Sequence, residues 1–218
     1  MKVCYLPEQV SALIFDMDLT LYSHPEYGRY QIDRLIERLA RIRGVSFEQM
    51  NREVTGFQRN WAEAHGGRLI SLGNTLISFG ISIEESARWR EERCEPERYL
   101  KADPVLRETL RILTNDRSLA LGVVTNNPCL VARKTLAVLG VGDLFPVIVG
   151  LDTCMVSKPH EAPFLKAAEL LGAPPGECVS IGDRYDIDIA LPLELGMGGI
   201  LVDGVEDVYK LPESFTMS

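Results

Sequence analysis

The stretch Ala12-Leu13-Ile14-Phe15-Asp16-Met17-Asp18-Leu19-Thr20 decides how the rest of the chain is read. Four consecutive apolar residues ending at a carboxylate are the pattern of a strand covered on both faces in a parallel sheet. If the extended conformation continues, Asp16 and Asp18 stand at i and i+2 and point to the same side. Open α/β sheets bind ligands beyond the carboxyl ends of their strands, so a paired-Asp site there could hold a hard cation and activate a nucleophile. Alone the pair decides little, because aspartates are common in turns. The D-x-D-x-T pattern also resembles the opening of a calcium-binding EF-hand loop. That reading fails, since Leu21 stands where the loop needs Gly, Tyr27 where it needs Glu, and a strand precedes it instead of a helix.

Working outward, similar apolar runs recur at residues 119–124, 146–149, 178–181 and 199–202, with helical patterns at 130–139, 162–171 and 187–195 between them. Strands alternating with helices predict βαβ crossovers and a doubly wound, mostly parallel, five-stranded Rossmann-like sheet. From 22 to 101 the texture changes. Polar residues recur at helical spacing, giving candidate helices at 27–42, 47–65, 69–79 and 83–94, broken by Gly44, by Gly66-Gly67 and by Gly80. The expected organisation is therefore an α/β core of residues 1–21 and 102–218, interrupted after its first strand by a helical cap subdomain of residues 22–101.

Composition narrows the class. The chain has 218 residues, 46% hydrophobic and 25% charged, which excludes global disorder, collagen and coiled coil. Its 31 acidic and 23 basic side chains give a net charge of −8, which argues against nucleic acid polymers as partners. No apolar run approaches the ~18 residues that would span a bilayer. Pro7 and Glu8 interrupt the place where a signal peptide needs its apolar stretch, so a cytoplasmic protein without membrane partners is expected, as monomer or homodimer. The five scattered cysteines form no C-x-x-C pair and read as reduced core residues.

Three further segments carry chemistry. Val123-Val124-Thr125-Asn126-Asn127-Pro128 brings a hydroxyl, amides and backbone N–H groups to a helix N-terminus, a phosphate site or simply a helix cap. Val156-Ser157-Lys158-Pro159 places a lysine in a loop before a helix. Ser180-Ile181-Gly182-Asp183-Arg184-Tyr185-Asp186-Ile187-Asp188 delivers three aspartates to a strand end, a costly grouping without a cation nearby. Each has an ordinary structural explanation. Their order is what counts, because all four segments fall at or just beyond the carboxyl ends of separate predicted strands on one edge of one sheet.

In that order the sequence resembles the haloacid dehalogenase superfamily over nearly its whole length. Asp16-x-Asp18-x-Thr20 is similar to its first motif, Thr125-Asn126 to its second, Lys158-Pro159 to its third, and Gly182-Asp183 with Asp188 to its fourth. The insert at 22–101 resembles the mobile cap of members whose cap follows strand one. Both Asp186 and Asp188 could fill the trailing acidic position, and the spacing of similar members favours Asp188.

The resemblance implies a Mg²⁺-dependent phosphomonoester hydrolase that acts through an aspartyl-phosphate. Asp16 would be the nucleophile, Asp18 the proton carrier and Lys158 the neutralising cation. Thr125, Asn126 and Lys158 would bind the phosphoryl group; Asp16, Asp18 through its backbone carbonyl, and Asp183 would hold Mg²⁺. Thr20 and Asp188 would support them, Thr20 by fixing the loop. Dehalogenases of the fold lack the acid two residues after the nucleophile, so Asp18 argues for phosphoryl transfer. Sugar phosphomutases resemble one another in a His early in the cap, whereas His24 lies just outside this one. A catalytically silent binding protein would typically have lost a motif residue, and none is lost. The substrate is expected to be a small soluble ester such as a sugar phosphate, phosphoglycolate or a nucleotide. The segments 16–22 and 99–104 are loosely similar to pyrimidine 5′-nucleotidases. Arg59 and Trp61 are the cap residues expected to select it if they face the cleft, although an aromatic on a helix is more often core. Cys129, at a helix start beside the phosphate loop, is read as buried in preference to reactive.

Overall fold

The computed structural model describes residues 1–215. Its strands are β1 (Lys2–Tyr5), β2 (Ala12–Phe15), β3 (Ala120–Val124), β4 (Val147–Val149), β5 (Cys178–Gly182) and β6 (Gly198–Leu201). They form one sheet in the order β1-β6-β5-β2-β3-β4, parallel except for β1, which pairs antiparallel with β6. The apolar run that opened the sequence argument is thus a central strand, with Ala12 opposite Ala120 on one side and Cys178 on the other.

All four residues of β2 are buried, and they alternate between two cores. Leu13 and Phe15 pack with Leu106, Leu110 and Val123 on one face, while Ala12 and Ile14 pack with Phe164 and Ala167 on the other. A strand wedged between two apolar layers has no polar side to show, which is why its sequence shows no alternation. The sheet has six strands where five were expected. The extra one, β1, is an edge strand, exposed except at Cys4. Because an edge strand needs only one partner and little apolar cover, it leaves no continuous apolar signal.

Between β2 and β3 run α1 (Pro25–Arg43), α2 (Phe47–Ala64), α3 (Leu72–Ser78) and α4 (Ile83–Glu91). Their starts are set by His24, Ser46, Ser71 and Ser82, each accepting a bond from a backbone N–H of the first turn. They carry a separate core in which Leu35, Ile36 and Leu39 meet Met50, Val54, Leu76 and Trp89. The remaining helices are α5 (Pro104–Arg111), α6 (Cys129–Val138), α7 (Leu151–Cys154), α8 (Glu161–Leu171), α9 (Ala190–Glu194), α10 (Val205–Val208) and α11 (Leu211–Ser214). The helix expected at 187–195 begins instead as a wide π-helical turn, Tyr185–Ile189, before tightening into α9. Among the described residues no helix is long and apolar enough to cross a membrane.

Of the five cysteines, all free, only Cys178 is buried; Cys4, Cys94, Cys129 and Cys154 are half-buried, so the expectation of five core thiols holds for one.

Candidate active site

β2, β3 and β5 end side by side, and the loops that leave them carry the acidic and amide residues of the sequence motifs. Asp16 follows β2 directly and is 4% exposed. Its Oδ1 accepts from Lys158 Nζ at 2.7 Å, while its Oδ2 is buried with no hydrogen-bond partner among the described residues. Lys158 is itself 1% exposed. It spends all three ammonium protons, on Asp16 Oδ1, on Asp188 Oδ1 (2.7 Å) and on the Val124 carbonyl (2.8 Å). A long flexible side chain is thereby fixed between two buried carboxylates.

Asp188 reaches this position because the π-helical turn folds it back over Gly182. Its Oδ2 accepts from the Arg184 N–H (3.1 Å), and its carbonyl from Ser180 Oγ (2.7 Å). Asp186 lies elsewhere, accepting from the backbone N–H of Leu69 in the helical insert. The structure therefore places Asp188, not Asp186, with the motif residues. Gly182 is needed for the fold-back: a Cβ there would meet the Asp188 Cβ and stand 2.7 Å from its Cγ. Gly182→Ala should cost about 1–3 kcal/mol, the usual range for overpacking. That corresponds to a Tm loss of several degrees in thermal denaturation; an unchanged Tm would show that Asp188 can yield.

Asp183, just past β5, completes an acidic group: ligand atoms of Asp16, Asp183 and Asp188 all lie within 4.8 Å of one another. Asp183 Oδ1 is buried without a hydrogen-bond partner among the described residues, and the Arg184 guanidinium approaches it only to 3.7 Å. Burial pushes the Asp16 carboxyl up to about 7 against the pull of Lys158, and the Asp188 charge adds to the rise. Burial likewise pushes Asp183 up to about 6, against Arg184. Three clustered carboxylates, with Asp183 Oδ1 left unpartnered, are a grouping that suits a hard, oxygen-seeking cation.

Asp18 is half-buried and separate from that group. Its Oδ1 accepts from the Tyr22 hydroxyl and from Gln31 Nε2 (3.0 Å), its Oδ2 from Asn127 Nδ2 (2.8 Å). Gln31 Oε1 in turn accepts from Asn127 Nδ2 at 3.0 Å, so α1 of the insert and the β3 loop of the core meet on one carboxylate.

At the end of β3, Thr125 is buried, and its Oγ1 accepts from the Asn127 N–H (3.1 Å), leaving its own proton to donate. The Asn126 side chain clips the lysine loop, its Oδ1 accepting from Lys158 N–H (2.7 Å). Thr20 is fully buried, but its hydroxyl has no hydrogen-bond partner among the described residues, so the loop-fixing bond expected of it is not formed.

A cleft of about 240 Å³ opens over these residues, lined from the core by Asp18, Asn126, Asn127, Asp183 and Arg184, and from the insert by Gln31, Ser71, Gly73 and Arg90. Sequence reasoning missed Gln31, Arg90 and Arg184, whose chemistry has no motif; only the packing of α1 and α4 over the strand ends reveals the first two. Arg59 and Trp61 do not line this cleft. Arg59 is exposed, and Trp61 stacks on His65 (3.9 Å between ring centres) beside a different groove with Tyr185 and Asp186. His24 caps α1 and packs edge-on against Tyr99. Cys129 is half-buried, with Sγ 3.2 Å from Thr153 Oγ1, and the Asp152 carboxylate occupies its backbone N–H.

A parallel sheet whose strand ends gather three carboxylates around a buried lysine, under a helical insert, defines a class of α/β hydrolytic enzymes. The family model described as haloacid dehalogenase-like hydrolase matches residues 10–195. The chain belongs to that family. Among curated relatives, a phosphoglycolate phosphatase of Yersinia pseudotuberculosis is 38% identical over 176 residues, 67% of this chain and 75% of that protein. A glyceraldehyde 3-phosphate phosphatase of Methanopyrus kandleri is 28% identical over 86% of this chain and 82% of its own length. Other matches are shorter, spanning 53% of a Pectobacterium atrosepticum phosphoglycolate phosphatase and 33% of one from Xylella fastidiosa. Among solved structures, a HAD phosphatase from Thermococcus onnurineus has the same fold, with a TM-score of 0.63 at 22% identity, covering 94% of this chain and 97% of that one.

Proposed function

We propose that the protein is a phosphomonoester hydrolase acting on a small ester through an aspartyl-phosphate. One observation carries the reading: Lys158 holds one oxygen of Asp16 and leaves the other buried and unpartnered, with the Asp18 carboxylate two residues on at the cleft. The free carboxylate oxygen attacks phosphorus, the bond from phosphorus to the alkoxy oxygen breaks, and Asp18 delivers a proton to the departing oxygen. Water then attacks phosphorus and gives its proton to Asp18; inorganic phosphate leaves and Asp16 is regenerated. Thr125 and the Asn126 N–H donate to the phosphoryl oxygens, and Lys158 neutralises charge shared between them and Asp16. Asp188 keeps Lys158 in line by taking its second proton.

Mg²⁺ would be held by Asp16, Asp183 and the Asp18 carbonyl, and when bound it supplies charge neutralisation on the phosphoryl oxygens. Asp18→Asn is expected to slow both steps, by about 10²–10⁴.

The cation can be tested apart from activity. A carboxylate whose folded pKa lies above its unfolded value near 3.8 lowers folded stability progressively as pH rises through about 4 to 7, because the unfolded state ionises first. Mg²⁺ should reverse this. At about 100-fold its Kd it adds about 2.7 kcal/mol, so Tm rises by several degrees, more at pH 8 than at pH 5. An equal Tm with and without Mg²⁺ at pH 8, by calorimetry, would remove the cation assignment.

The cleft, at about 240 Å³, falls below the ~300–1,000 Å³ usual for drug-sized ligands, which favours two- and three-carbon phosphate esters over nucleotides. The relatives named for phosphoglycolate and glyceraldehyde 3-phosphate support the same range. Phosphate release measured on phosphoglycolate, triose phosphates, hexose phosphates and nucleoside monophosphates should fall in that order of size. Nucleotides as the best substrates would overturn the size argument.

A further inference from the structure

Three polar side chains of the helical insert line the cleft, and two of them are already committed. Gln31 is bonded to Asp18 and Asn127. Ser71 is bonded to Ser157 across the insert–core contact at 2.9 Å and accepts from the Asn74 N–H. The third is Arg90, in the last turn of α4, and it is uncommitted. Its Nε is buried without a hydrogen-bond partner, and its guanidinium makes no ion pair among the described residues.

Arg90 is half-buried, a buried Nε–H without a partner is costly, and the Asp18 charge offers the guanidinium long-range attraction but no bond. Burial pushes it down only to about 10, so it keeps its charge at neutral pH. The other cation at the cleft, Arg184, is already drawn to Asp183 and Asp188, at 3.7 and 3.9 Å. Lys158 is fully engaged below. Arg90 is therefore the one positive side chain of the cleft that faces the leaving-group side without an anion of its own, among the described residues.

We propose that Arg90 determines specificity by binding a second anionic group on the leaving-group half of the substrate, a carboxylate on a short carbon stem. The planar fork of five donors suits a carboxylate, which it can grip through two parallel bonds. The cleft leaves room for little more than the phosphoryl group and such a stem. Its remaining insert lining, Gly28, Ile32, Leu72 and Gly73, offers an apolar wall that would leave a neutral hydroxylated leaving group with unpaired oxygens. This inference rests on the phosphomonoesterase reading and narrows its substrate.

The test compares 2-phosphoglycolate with glycolaldehyde phosphate, which replaces the carboxylate by an aldehyde at nearly the same size, and uses 4-nitrophenyl phosphate as a general ester. Wild type should favour 2-phosphoglycolate in kcat/KM. Arg90→Met should lower the ratio of kcat/KM for 2-phosphoglycolate to that for glycolaldehyde phosphate by about 10- to 100-fold, mostly through KM, the worth of one charge-assisted bond. Arg90→Lys should restore part of the ratio. Equal proportional losses on all three esters would overturn the proposal, showing that Arg90 serves only Asp18 or the fold. So would a wild type that hydrolyses 4-nitrophenyl phosphate yet shows no preference for the carboxylate, and in that case the phosphomonoesterase reading stands. If wild type hydrolyses none of the three with Mg²⁺ present, both fall together.

Discussion

Asp16→Asn should leave the protein folded and abolish phosphoester hydrolysis, by at least about three orders of magnitude. The amide is nearly isosteric with the carboxylate, and its oxygen can still accept from Lys158, which also keeps Asp188 and the Val124 carbonyl. The fold loses no packing. The variant removes a buried carboxylate that resists ionisation, so its Tm without Mg²⁺ should equal or exceed that of wild type. Only the nucleophile is gone: an amide cannot carry the phosphoryl group. Steady-state phosphate release and circular dichroism, measured on the same sample, give the answer. Retention of more than about a thousandth of wild-type kcat by a well-folded variant would show that water attacks phosphorus directly.

Lys158→Met should damage stability and catalysis together. Methionine fills much of the same volume, but Asp16 and Asp188 then lose the cation between them, and Arg184 approaches Asp188 only to 3.9 Å. Removing one partner of a buried ion pair costs about 3–5 kcal/mol. For a chain of this size that is a Tm loss of roughly 6–20 °C, at about 2–4 °C per kcal/mol. Part of it should return at pH 5, where protonation of Asp16 removes the repulsion. Activity should fall by about 10³ or more, because the phosphoryl charge loses its nearest fixed cation. Addition of Mg²⁺ should recover stability more than turnover, since the cation can neutralise the carboxylates but does not replace a donor at the Lys158 position. A Tm within 2–3 °C of wild type across pH 5–8 would mean that the two carboxylates do not depend on Lys158, at the ~2–4 °C per kcal/mol scale used above.

What could be read from the sequence follows from how each feature is encoded. The strand Ala12–Phe15 is buried on both faces, so its apolar run states its position directly. The same holds for Ala120–Val124 and Cys178–Gly182, almost wholly buried, and Asp16, Asp18, Thr125 and Asp183 follow at their carboxyl ends. The insert helices expected to start at 47 and 83 do so, each capped by a serine, Ser46 and Ser82, whereas the one expected from 69 starts at Leu72 after Ser71. Lys2–Tyr5 was not, because an edge strand carries no two-sided apolar pattern.

The sequence alone places these chemical groups at strand ends of one mostly parallel sheet, because apolar runs mark the strands and their alternation with helices sets chain direction and the loops that follow. Which groups touch is set by packing across the fold. Asp186 and Asp188 are indistinguishable as letters, and the turn at Tyr185–Ile189, with Gly182 beneath it, sends one to Lys158 and the other to Leu69. Arg59 and Arg90 are likewise both arginines on insert helices, and the packing of α2 and α4 leaves the first in solvent and brings the second to the cleft. Such choices depend on contacts between residues far apart in the chain, here Gln31 with Asn127 and Ser71 with Ser157, and no local spacing encodes them.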